Sequence, residues 1–119
     1  MERIVLPLAR NLERLGIAAR VRTVDVAQYE KRMETFDFDM AVVVFGQSLS
    51  PGNEQREYWG SQAADEPGSR NLLGIKSPVI DELVEALIRS PDRASLLAHA
   101  RALDRVLQYG YYVIPNFHL

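Results

Sequence analysis

The sequence predicts an α/β fold, a mostly parallel sheet flanked by helices. The clearest sign is the run Met40-Ala41-Val42-Val43-Val44-Phe45, apolar at every position and β-branched at its centre, as in a strand covered on both faces. The second is a pair of strong helical patterns towards the end of the chain. The third is the order of elements, which reads helix, strand, helix, strand, helices, strand. Such units ordinarily start with a strand, so one is expected ahead of Met1, and both ends read as cuts within a longer protein. On this reading residues 1–119 form a single fragment.

The first helix follows from Ile4, Val5, Leu8, Leu12 and Leu15, which share one helical face, with Gly16 as its stop. Pro7 requires that helix to begin late or to kink, because proline removes one helical hydrogen bond. Ala19, Val21 and Thr23 alternate with Arg20 and Arg22, the period of a strand. Asp25 and Gln28 have the spacing of a capping box, opening a short helix through about Met33. After the central strand, residues 46–52 hold two glycines, small polar residues and Pro51, and so form a loop. Asn53 then caps a short helix containing Tyr58 and Trp59. The polar stretch from Gly60 to Gly74 reads as a binding-side loop.

Ser77-Pro78 is a cap with proline at the first helical position, and Ile80, Leu83, Val84, Leu87 and Ile88 follow at helical spacing. Ser90-Pro91 repeats that start, with Leu96, Ala100, Leu103 and Leu107 on one face and Gly110 as terminator. These two helices are expected to pack together. Residues 111–117 read as a final strand whose Pro115 suits an edge or an end.

Composition narrows the function. With 119 residues, 47% hydrophobic and 25% charged, the chain has the size and balance of one domain. It contains no cysteine, which excludes zinc-ribbon and thiol chemistry. Its 14 basic and 16 acidic residues are interspersed, leaving no basic patch for nucleic acid. Its longest apolar runs are too short for a bilayer, and no signal-peptide pattern opens the chain.

Little points to catalysis. Gly46-Gln47-Ser48-Leu49-Ser50 approaches a nucleophile elbow, but Ser50 replaces the second glycine and Pro51 follows where helical N–H groups are needed. The only candidate bases, His99 and His118, also lack metal-ligand spacing, so neither a metal nor a cofactor is expected. Glu54 and Glu57 with Arg56 read as a charge-mixed surface rather than an acid–base pair. Tyr58 and Trp59 suit either an aromatic platform or local core. Gln47, Ser48, Asn53 and Asn71 are neutral hydrogen-bonding residues, suited to binding without reaction; the first two lie in the loop after the central run.

Several segments together resemble the carboxyl-terminal lobe of the extracytoplasmic oligopeptide-binding proteins of ABC importers, solute-binding protein family 5. They are the run Met40 to Phe45 with its loop to Pro51, the Asn71…Lys76-Ser77-Pro78…Asp81-Glu82-Leu83 stretch, and the helix from Pro91 leading to Val113-Ile114-Pro115. Glu2-Arg3-Ile4, Leu12 to Ile17 and Asp25-Val26 extend the likeness over nearly the whole chain. Gly46 to Gln55 followed by Tyr58-Trp59-Gly60-Ser61 is most similar to the Yej branch, which is also associated with peptide-nucleotide antibiotics.

The resemblance implies a partial periplasmic-binding-protein lobe in a non-enzymatic, periplasmic receptor. That receptor would close two lobes over a peptide or peptide conjugate and deliver it to membrane permease subunits. Phe45, Gly46, Gln47, Ser48, Asn53, Tyr58, Trp59 and Asn71 would contribute to the ligand site. Family members that grip a peptide's amino terminus carry an acidic residue near this point, where the present chain has Gln47. A neutral amide cannot make the charge-assisted bond to an ammonium group. A lobe lacking its first strand would expose a sheet edge and could form a homodimer through it. The competing expectation is a ligand-sensing or protein-interaction domain of a regulator built on the same fold.

Overall fold

Helix α1 runs over Glu2–Arg14 and stops as the glycine signal predicts. Gly16 adopts a positive φ of 81°. The Ile17 N–H then reaches the Leu12 carbonyl at 3.0 Å and the Gly16 N–H reaches Glu13 at 2.9 Å, the paired bonds of a Schellman ending. Pro7 lies within this helix rather than ahead of it. Helix α2, Val26–Glu34, begins where Asp25 Oδ1 accepts the Gln28 N–H at 2.8 Å, so the expected cap is formed.

In this computed structural model residues 2–116 are described, and the chain divides into two units, Met1–Lys31 and Arg32–Leu119, with the boundary inside α2. The second unit holds α3 (Glu54–Trp59), a 3-10 turn (Ser61–Ala63), α4 (Pro78–Ile88) and α5 (Arg93–Tyr109).

The predicted α/β fold is not found: among the described residues the chain is helical, with no strand and no sheet. Residues 19–23, 40–45 and 111–116 form no strand. Phe117, the end of the third expected strand, and His118 lie outside the described residues. The physical reason is that a strand exists only through ladder hydrogen bonds to a neighbour, and a lone extended segment has none to offset its ordering entropy. Nor is the apolar run covered on both faces. Met40 is 60% and Val44 91% exposed, whereas Phe45 turns onto the core. A partial periplasmic-binding-protein lobe built on a parallel sheet is therefore corrected to a helical arrangement. The homodimer expected through an open sheet edge loses its basis, because the described residues contain no such edge.

The helices of the second unit surround one core made of Tyr58, Trp59, Ile75, Ile80, Val84, Leu87 and Leu103. Ile80, Val84 and Leu87 come from the periodic face of α4, and Leu103 from that of α5, so the two helices pack as their patterns require. Each such aliphatic side chain, once fully buried, contributes roughly 1.5–3 kcal/mol. Pro78 occupies the start of α4, as expected, but the Ser77 hydroxyl makes no capping bond. Helix α5 is capped by Asp92, not by Ser90: the Asp92 carboxylate accepts the Ser95 N–H at 2.8 Å and the Ser95 hydroxyl at 3.1 Å. Those bonds hold its acid below the ordinary 3.8. Ser90 instead donates to the Ala86 carbonyl at 3.0 Å and lies 2.9 Å from His99 Nδ1, which gives that histidine a packing partner between the helices.

Candidate ligand-binding site

Helix α3 is short, yet it places three side chains into the core: Gln55, Tyr58 and Trp59. Tyr58 and Trp59 are 6% and 7% exposed, so the two aromatics are local core rather than an open platform. Phe45 closes the cluster. Its ring meets Tyr58 edge to face, with centroids 5.6 Å apart and an interplanar angle of 83°, and Trp59 at 5.3 Å and 39°. These geometries are favourable for aromatic pairs and fix the start of the 46–52 loop against α3.

Two polar bonds continue that attachment. The Tyr58 hydroxyl donates to the Gly46 carbonyl at 3.1 Å. Buried Gln55 donates through Nε2 to Gln47 Oε1 at 2.8 Å, and its own Oε1 accepts the Trp59 indole N–H at 2.9 Å. Thus Gln55 satisfies the Trp59 donor inside the core while orienting the Gln47 amide. Glu54 accepts the Gly52 N–H at 3.0 Å, and this bond lowers its carboxyl below the ordinary 4.5.

A cleft of about 500 Å³ opens beside this cluster, lined by Val43, Val44, Phe45, Gly46, Tyr58, Ser69, Arg70 and Leu72. Three of the eight residues expected from sequence line it: Phe45, Gly46 and Tyr58. Gln47 follows them directly in the chain, and Trp59 packs behind Phe45. Ser48 is engaged within its own turn, accepting the Ser50 N–H at 3.1 Å and donating to the Ser50 carbonyl at 2.9 Å. Asn53 makes no capping bond and accepts from Arg56 Nη1 at 3.0 Å.

Asn71 has a different task. It is 0% exposed, donates to the Gly60 and Ile75 carbonyls at 2.9 Å each, and accepts the Ile75 N–H at 3.0 Å. Its amide thereby pins the turn that carries Arg70 and Leu72 to the end of α3. The neighbouring Ser61 and Asp81 tie the 3-10 turn to α4, with the Asp81 carboxylate accepting the Ser61 N–H at 2.9 Å and its hydroxyl at 2.6 Å. Sequence reasoning passed over Ser69, Arg70, Leu72 and Gln55. Gln55 was legible, being four residues before Trp59 and so on the same helical face; the other three lie in irregular chain without periodicity.

No family model matches the chain, but curated relatives align with nearly all of it. It is 56% identical over 117 residues to "Uncharacterized protein y4wM" of Sinorhizobium fredii, covering 98% of this chain and 18% of that protein. It is 52% identical over 118 residues to "Probable peptide-binding protein YejA" of Agrobacterium fabrum, and 41% identical over 118 residues to "Peptidoglycan-binding protein YepA" of the same organism. Each of these two alignments covers 99% of this chain and 19% of the relative. The chain therefore spans about a fifth of the length of the curated relatives it matches.

Over nearly its whole length the chain is thus similar to a segment of proteins named as binding proteins and not as enzymes. The likeness to the Yej branch read from the sequence is borne out by a relative that carries that name.

Proposed function

We propose that the chain is part of the ligand-binding component of an ABC-type peptide importer. In this reading it furnishes one wall of a cleft that closes, with a second lobe of a longer periplasmic protein, over a peptide or peptide conjugate. The closed form then hands its ligand to permease subunits in the membrane. The ligand-facing group is Phe45, Gly46, Gln47, Ser48 and Tyr58, with Asn53, Trp59 and Asn71 holding that wall in place.

The observation that carries this reading is the attachment of the 46–52 loop to a buried aromatic cluster, in a chain similar to a peptide-binding relative. Peptides present repeating amide groups, and a preorganised loop offering main-chain and neutral amide partners binds such a backbone without chemistry. Gln47 supplies hydrogen bonds but no charge, so recognition does not depend on a free ammonium group. No helix among the described residues is long and apolar enough to cross a membrane.

The test is to express the protein over its full reading frame, expose it to a mixed peptide library and identify retained ligands by native mass spectrometry. Retention of peptides, weakened by Gln47→Ala, is the expected result. A protein that retains no peptide overturns the proposal and favours an interaction domain.

A further inference from the structure

The cleft contains a cation that the loop-centred reading does not use. Arg70 lines it, and among the described residues that share the lining none carries a carboxylate. Its guanidinium sits 5.7 Å from the centroid of the Tyr58 ring, and Nη1 donates to the Tyr58 hydroxyl at 3.3 Å. Nε lies 3.7 Å from Glu57 Oε2, a long contact between side chains that are 62% and 63% exposed. Among the described residues Nη2 makes no hydrogen bond.

Resting on the proposed peptide-binding role, we propose that Arg70 is a specificity-determining residue that receives a carboxylate of the bound peptide within this cleft. The bond to the Tyr58 hydroxyl orients the guanidinium beside that ring, and the same phenol is bonded to Gly46, so the cation and the loop carbonyl share one support. A fork held in this way presents free N–H donors to an anion in the bidentate geometry that arginine favours. The exposed Glu57 contact is weak enough in water to yield to a ligand carboxylate. Val43, Phe45 and Leu72 give the cleft apolar walls, which strengthen a charge-assisted bond once a ligand displaces water.

The experiment compares peptides that differ only in bearing a free carboxylate or its amide, at the carboxyl terminus and at an acidic side chain, on the protein expressed over its full reading frame. Wild type is expected to bind the carboxylate form of one such pair about ten- to a hundredfold more tightly than the amide, the range for hydrogen bonds to charged groups. Arg70→Gln abolishes that preference by weakening the carboxylate form more than the amide, and Arg70→Lys restores it in part. Peptides bound by wild type with equal affinity in both forms, or a preference surviving in Arg70→Gln, overturn the role of Arg70 and leave the peptide-binding reading intact. Failure of wild type to bind any peptide overturns both.

Discussion

Arg56 and Glu85 join α3 to α4 by a two-pronged ion pair, Nε to Oε1 at 2.5 Å and Nη2 to Oε2 at 2.9 Å. Arg89 adds a contact to the same carboxylate at 3.2 Å. The pair bridges residues 29 apart in sequence and braces the helix that supplies Tyr58 and Trp59. Bonding to Arg56 first, and the charges of Arg56 and Arg89, hold the Glu85 carboxyl below its ordinary 4.5.

The sign of the pH dependence follows. A depressed folded-state acid contributes stability that is fully present above the unfolded value and is lost as pH falls through the folded value. Thermal melts of wild type and Glu85→Gln should therefore differ most near neutral pH and converge below the ordinary glutamate range. The gap should also shrink in high salt, because the pair is solvent-accessible. A gap that persists unchanged at low pH would contradict this account.

Asn71→Ala should be among the most damaging single changes. It leaves the buried Ile75 N–H and two carbonyls without their partner, at a cost of about 1–3 kcal/mol. Urea denaturation of the purified chain measures it directly. A near-neutral effect would mean that the amide network contributes little to holding the Arg70 turn.

Tyr58→Phe keeps the ring packing against Phe45 but removes the bond to Gly46 and the hydroxyl that Arg70 contacts. A loss of about 0.5–1.5 kcal/mol is expected. Faster amide exchange around residues 46–48 should accompany it; unchanged exchange would show that Phe45 alone fixes the loop.

At the end of α5 the left-handed position belongs to Tyr111, with φ 53°, while Gly110 remains right-handed. Tyr111 is 86% exposed, so its ring gives little packing in return for that backbone strain. Tyr111→Gly should raise stability by about 1 kcal/mol, read as a higher denaturation midpoint at an unchanged slope. A lowered midpoint would assign the side chain a contact worth more than the strain.

Much of the helical structure was legible in local chemistry. The periodic faces of α1, α4 and α5, the Asp25 cap and the Gly16 ending act within a few residues, so spacing along the chain suffices to read them. The candidate site was partly legible for the same reason. Phe45, Gly46 and Tyr58, named from the sequence, line the cleft, whereas Arg70 was not named because its contact with Tyr58 joins residues 12 apart with no periodic pattern between them.

Local sequence sets where helices begin, end and turn an apolar face inward, because those preferences depend on neighbours one or two turns away. Tertiary structure alone decided that Met40 to Phe45 forms no strand, that Asn71 is a buried brace, and that Arg70 meets Tyr58 beside the loop. Each of these depends on whether a distant group supplies a partner, and pairing of that kind has no local signature.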